Sequence, residues 1–264
     1  MKHFLMCEPS FFEVCYVINP WMEGNMGKVN KALAKPQWKN LYDIVAARAL
    51  VSLVKPVAGL PDMVFTANAG LVKEKEFIVS SFLHAERQPE AEYFEKFFSS
   101  QNYRVLHLQE KTIFEGAGDA LFDSQGRLWF GSGIRSESHA LDEIVDALNV
   151  EAYALELADP RWYHLDTAFC PLPEGQAIAY EKAFAGKSVA ALDNVFGKNI
   201  IWVSEQDAKN FACNAISIGK SVIMHKASAE LKFILAQHDF KVVEADVSEF
   251  IKAGGACKCL TLEI

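Results

Sequence analysis

Five short segments of the chain repeat one pattern, a small or acidic residue next to a small one, followed by an apolar run. They are Thr66-Ala-Asn68-Ala-Gly-Leu-Val72, Gly116-Ala-Gly-Asp119-Ala-Leu-Phe122, His164-Leu-Asp166-Thr-Ala-Phe169, Ala212-Cys-Asn214-Ala-Ile-Ser-Ile218 and Cys257-Lys-Cys259-Leu-Thr-Leu262. Their marker positions, 68, 119, 166, 214 and 259, are separated by 51, 47, 48 and 45 residues. A near-constant step of this size is the signature of a structural repeat.

After four of the markers a second strand-like run follows across a turn: Glu76–Ser80, Arg127–Gly131, Gln176–Tyr180 and Ser221–Met224. Each pair reads as a hairpin. The fifth unit ends at Ile264, so its second strand is expected from His3–Cys7 at the other terminus, which would pair the two ends and close a ring. Helical spacing covers roughly Trp38–Val54, Ala91–Ser100, Ser138–Leu148, Ser228–Gln237 and a short Ser248–Lys252. The strand-like runs Tyr103–Leu108, Glu151–Leu155 and Lys241–Ala245 follow helices. Hairpin, helix and strand repeated around an axis make a five-fold pseudosymmetric α/β propeller. Residues 1–264 are expected to form one domain, since 15 glycines and 9 prolines gather into no linker-like stretch. Met22–Pro36, with Gly24, Gly27 and several charges, reads as a loop able to close over a substrate.

Composition excludes several function classes. With 51% hydrophobic and 23% charged residues the chain has ample material for a core. The net charge of −8 and scattered basic residues argue against a nucleic-acid partner. No stretch approaches 18 apolar residues, so no membrane partner is expected. The N-terminal apolar run is interrupted by Glu8 and Pro9 and reads as a strand, not an export signal. Six cysteines without zinc-finger spacing are then expected to be free thiols in a reducing cytoplasm. Homo-oligomerisation is left open.

A propeller brings equivalent positions of its units to the axis, so Asn68, Glu115 with Asp119, His164 with Asp166, Asn214 and Cys259 should converge. Cys259 and His164 have the chemistry of a thiol nucleophile and its acid/base partner. Several carboxylates at the same mouth raise the cost of a thiolate unless a cation binds there. A guanidinium suits them, being a planar cation with a fork of N–H donors for carboxylates.

The same segments resemble the guanidino-group-modifying enzymes of the pentein superfamily: arginine deiminase, dimethylarginine dimethylaminohydrolase, amidinotransferase and the arginine dihydrolases. The resemblance rests on Tyr16–Met22, Leu60–Gly70, Phe114–Asp119, Tyr163–Thr167 and Gly254–Leu262. It implies Cys259 as nucleophile, His164 as general acid/base, Glu115 as the carboxylate beside it and Asp166 as a guanidinium ligand, with Asp62 and Asp119 also facing the substrate. Arg87 and Arg135 are implied candidates for gripping an amino acid's carboxylate. It implies no metal and no organic cofactor.

Position 68 departs from the deiminases and dimethylarginine hydrolases, which usually place an aspartate there. An amide gains a donor able to hold the oxygen of a ureido intermediate. Asn68 and Asn19 resemble the arginine dihydrolases, which release ornithine, carbon dioxide and ammonia. The alternatives are a dimethylarginine hydrolase or deiminase giving citrulline, an amidinotransferase, and a non-catalytic binder like the ribosome anti-association factor, since fold alone does not settle function.

Simpler roles exist for several of these residues. Arg87 and Arg135 also read as surface ion pairs with Glu86, Glu90 or Glu137, and Asn214 as a turn residue left outside the site. Cys257 reads as a packed thiol.

Overall fold

The computed structural model describes residues 1–109 and 112–264. The chain opens with β1 (His3–Cys7), α1 (Lys31–Ala46) and β2 (Leu50–Val54). Next come β3 (Gly70–Lys73), β4 (Glu76–Val79), α2 (Glu90–Ser100) and β5 (Arg104–Leu106), then β6 (Ala120–Phe122), β7 (Leu128–Ser132), α3 (Ala140–Leu148) and β8 (Ala152–Glu156). A short α4 (Leu165–Ala168) leads into β9 (Phe169–Pro171), β10 (Ala177–Ala179), α5 (Gly186–Phe196) and β11 (Ile200–Trp202). After α6 (Glu205–Lys209) come β12 (Ile216–Ile218), β13 (Ser221–Met224), α7 (Ala229–Gln237), β14 (Lys241–Glu244), α8 (Ser248–Ile251) and β15 (Leu262–Glu263).

These strands form five separate three-stranded sheets, β3-β4-β5, β6-β7-β8, β9-β10-β11, β12-β13-β14 and β15-β1-β2. In each, the first two strands are antiparallel and the third, reached through a helix, lies parallel to the second. The termini share the last sheet, with Phe4 opposite Glu263 and Leu5 opposite Leu262. The middle strands are buried on both sides, as a strand covered on two faces must be: Phe4 to Cys7 in β1 and Leu128 to Phe130 in β7.

Helices lie against the sheets through one stripe. Ala34, Trp38, Leu41 and Val45 form the buried face of α1, and Phe94 and Phe98, one turn apart, that of α2. Phe98 stacks on Phe77 of β4 with ring centroids 3.7 Å apart. Tyr93, beside them in sequence, stays exposed.

Some boundaries differ from those read in the sequence. Helix α1 starts at Lys31, capped by the Asn30 side chain on the Ala32 N–H, so Met22–Pro36 is not all loop. Leu50–Val54 is a strand, although its apolar residues extend the helical spacing of α1, because a short apolar run carries no period of its own. Helix α5, with Leu192 and Phe196 buried, lies outside the helices read from spacing. Among the described residues, no helix is long and apolar enough to cross a membrane.

Candidate active site

The candidate residues sit mainly on tight turns or single helical turns that precede the first strand of each sheet, Thr66–Ala69, Gly116–Gly118 and Leu165–Ala168 among them. Each turn is hydrogen-bonded to the next. Ala67 N–H donates to Cys259 O (3.1 Å), Asn68 Nδ2 to Glu115 O (3.2 Å) and Leu165 N–H to Asp119 Oδ1 (2.9 Å). Asn214 Nδ2 donates to Asp166 O (3.0 Å), and Cys259 N–H to Asn214 Oδ1 (3.1 Å). Residues far apart in sequence thus meet in one buried cluster.

The Cys259 thiol donates to Asp166 Oδ2 across 3.3 Å. Burial and the neighbouring Asp166 carboxylate push this thiol well above its ordinary range, and burial pushes Asp166 up to about 6 despite the attraction of Lys258. The nucleophile candidate rests as a thiol, and its deprotonation calls for positive charge brought in from outside the cluster.

His164 Nε2 lies 2.7 Å from Glu115 Oε2, which also accepts from Arg135 Nη1 at 2.8 Å. Burial opposes ionisation of Glu115, but the Arg135 guanidinium and the His164 hydrogen bond outweigh it and hold the carboxyl far below the usual range. Arg135 also donates to Ile18 O and lies over the Tyr163 ring. Asp119, raised by burial to about 6, accepts from Ser136 Oγ and the Leu165 N–H and stands 4.0 Å from His164 Nε2.

Arg87 is equally buried. It forks onto Glu90 through Nε (3.0 Å) and Nη2 (2.8 Å), and gives Nη1 to Asn68 Oδ1 (2.9 Å) and Nη2 to Asp62 O (3.2 Å). Arginine only donates, so Asn68 Oδ1 must face it, which turns Asn68 Nδ2 towards Glu115 O and His164 Nδ1, 3.5 Å away. His164 Nδ1 then carries the lone pair, and Nε2–H donates to Glu115. Asp62 Oδ2 accepts from Tyr16 Oη at 2.9 Å, while the buried Oδ1 has no partner among the described residues. A buried carboxylate oxygen in that condition suits an incoming N–H donor.

Of the surface ion pairs read for Arg87 and Arg135, the Arg87–Glu90 pair forms but is buried inside the fold, and Arg135 is buried against Glu115 instead. Asn19 spends both ends of its amide on backbone, Nδ2 on Ala253 O and Oδ1 on the N–H groups of Trp21 and Met22. The side chains of Tyr16, Ser136 and Asn214 belong to this cluster as hydrogen-bond partners that sequence reasoning left out of the site, and Glu90, read only as a surface partner of Arg87, belongs to it as well. Asn214 carried a sequence signal in its place in the repeat, and Tyr16 in opening the Tyr16–Met22 segment. All ten candidate residues are less than 10% exposed, Asn19 most so at 8%. A cavity of about 530 Å³ runs along the first strands, lined by Leu71, Leu121, Phe169, Ile216 and Leu262 with Lys258, and none of the ten lines it.

Comparison with known proteins agrees with this architecture. The bifunctional arginine dihydrolase/ornithine cyclodeaminase AgrE of Nostoc sp. is 48% identical over 99% of this chain, which spans 37% of the length of AgrE. The N(G),N(G)-dimethylarginine dimethylaminohydrolase of Mycobacterium tuberculosis is 36% identical over the whole of this chain and 86% of its own length. Among solved structures, the N-terminal domain of ArgZ bound to substrate, an arginine dihydrolase from the ornithine-ammonia cycle in cyanobacteria, superposes with a TM-score of 0.98 at 47% identity, covering all of this chain and 98% of that one. Residues 21–264 match the model for eukaryotic N,N dimethylarginine dimethylhydrolase, and the chain belongs to that family within the guanidino-group-modifying superfamily.

Proposed function

We propose that the chain hydrolyses the guanidino group of free L-arginine twice, through covalent adducts on Cys259, and releases ornithine, two ammonia and carbon dioxide. The observation that carries this reading is the orientation of Asn68. Arg87 holds its oxygen, so the amide N–H groups face the His164 side of the cluster, where a carboxylate would present only acceptors. The dihydrolase activity of AgrE, to which the chain is 48% identical, supports it.

In this reading the substrate guanidinium supplies the missing positive charge, held by Asp166 and by the unpartnered oxygen of Asp62. The Cys259 sulfur attacks the guanidinium carbon, His164 mediates proton transfer to the departing nitrogen, and the proton lost by the thiol leaves with the ammonia. Water then attacks the amidino-thioether, His164 takes its proton, and the carbon–sulfur bond breaks to give a ureido group. Asn68 Nδ2 holds the ureido oxygen while Cys259 attacks again and expels the second ammonia. Hydrolysis of the resulting thiocarbamate gives a carbamic acid, which loses carbon dioxide to leave ornithine. Glu115, kept ionised by Arg135, orients His164 throughout. Arg87 and Arg135 line the same cluster, and among the described residues Arg135 spends two of a guanidinium's five N–H donors, on Glu115 and Ile18 O, which leaves others for a substrate carboxylate.

A second reading, one hydrolysis of dimethylarginine to citrulline and dimethylamine, has the family match and the M. tuberculosis relative in its favour. Mass spectrometry of products from L-arginine, dimethylarginine and agmatine separates the two. Ornithine with two ammonia per arginine is the expected result; citrulline as the end product would overturn the dihydrolase reading. The proposal extends to residues 1–264 as one catalytic domain, with the five sheets as propeller blades closed by β15 on β1, working in the cytoplasm without a cofactor.

A further inference from the structure

Asn214 stands at the fourth marker, in the turn between α6 and β12, with its side chain wholly buried. Its Oδ1 accepts three backbone N–H groups of the nucleophile turn, from Ala256 (3.0 Å), Lys258 (3.0 Å) and Cys259 (3.1 Å). Backbone N–H groups only donate, so the amide cannot be turned round, and its Nδ2 must face the other way. On that side lie Asp166 O at 3.0 Å and Cys259 Sγ at 3.1 Å.

We propose that Asn214 is a catalytic residue that stabilises the Cys259 thiolate by donating Nδ2–H to its sulfur, while its Oδ1 clamps the turn that aims that sulfur. The assignment rests on Cys259 being the nucleophile. Around the sulfur, Asp166 on α4 is the charged group in direct contact, Lys258 is the nearby cation acting on Asp166, and Tyr163 is a further titratable neighbour. When the thiol gives up its proton, which in turnover leaves with the ammonia, negative charge moves onto sulfur beside the Asp166 carboxylate. The Asn214 N–H then points at the new anion, and a donor already fixed in place needs no reorganisation to meet it. A hydrogen bond to a charged acceptor is about twice as strong as one between neutral groups.

The test is the rate at which iodoacetamide alkylates Cys259, followed by peptide mass spectrometry across a pH series, in the wild type, Asn214→Asp and Asn214→Ala. Asn214→Asp keeps an oxygen for the three N–H groups and removes the amide donor. Alkylation of Cys259 should slow by about tenfold at a given pH, the equivalent of one pKa unit, with circular dichroism and Tm close to wild type. A merely structural role has the opposite sign, because a loosened turn exposes the buried sulfur and speeds alkylation. Equal or faster alkylation in a folded Asn214→Asp chain would overturn the assignment, and Asn214→Ala, which loses clamp and donor together, should slow less than Asn214→Asp. The assay reads the sulfur and needs no substrate, so a chain that fails to turn over arginine but shows the slowed alkylation would defeat the proposed activity and leave the role of Asn214 standing.

Discussion

Arg87 Nη1 donates to Asn68 Oδ1 across 2.9 Å, and this single contact decides which end of the Asn68 amide the rest of the cluster meets. Arg87 is itself fixed by a two-point ion pair with Glu90 and so cannot swing away without leaving a buried carboxylate alone. A neutral amide has thereby been given one orientation at a position where a carboxylate would have none to choose.

Asn68→Asp keeps an acceptor for Arg87 but replaces the donor by a second acceptor. The ureido oxygen loses its holding group, and the first hydrolysis gains a carboxylate for the guanidinium. Citrulline should accumulate from L-arginine, measured as the citrulline to ornithine ratio by mass spectrometry. A variant that still yields only ornithine would show that position 68 does not separate the two steps.

Asp166→Asn should stabilise the fold while removing activity. Burial makes Asp166 ionise at about 6 in the folded chain, against 3.8 for an ordinary aspartate. The unfolded chain therefore gives up this proton first, and stability falls as pH rises from about 4 to about 6. An amide at 166 has no proton to lose. Urea denaturation at pH 7 should show a gain of about 1–3 kcal/mol over wild type, vanishing below pH 4.

Arg135→Met should have the reverse effect, because Glu115 is left buried without its counter-charge. The expected cost is about 3–5 kcal/mol at pH 7 by the same denaturation assay. Wild-type Glu115 stays ionised far below the ordinary glutamate value of 4.5, and its contribution is lost as pH falls below that value towards its depressed one. The difference between the two chains should therefore narrow on acidification below 4.5.

Gly118→Ala probes the closeness of the cluster. A Cβ at 118 would lie 2.3 Å from Asn68 Nδ2 and 3.2 Å from the His164 ring, so the Asn68 amide has to move. Steady-state kinetics on L-arginine should show a fall in kcat of about 10²-fold, since displacement by an ångström has that order of effect, with a far-ultraviolet circular dichroism spectrum like wild type.

The repeat was legible because it is written in spacing. Marker turns at positions 68, 119, 166, 214 and 259 each introduce the first strand of a sheet, and β15, which follows the last of them, pairs with β1. Helix limits were less legible. The stretch read as a loop up to Pro36 already holds the first turns of α1, and Leu50–Val54 carries apolar residues that serve a strand as well as a helix. Those ambiguities are resolved by a neighbouring strand or core, which local sequence does not contain.

Sequence by itself determined that five similar units would bring a thiol, an imidazole and several carboxylates to one set of turns, because side-chain chemistry and repeat period are both properties of the linear chain. Which atom faces which was decided by tertiary structure alone. Asn214 looks like a turn residue until the Ala256–Cys259 turn, over 40 residues away, takes its oxygen and leaves its nitrogen on the sulfur. Arg87 and Arg135 look like surface cations until folding buries them against Glu90 and Glu115. Hydrogen-bond direction is set by the partner, and in this cluster the deciding partners belong mostly to distant turns and strands.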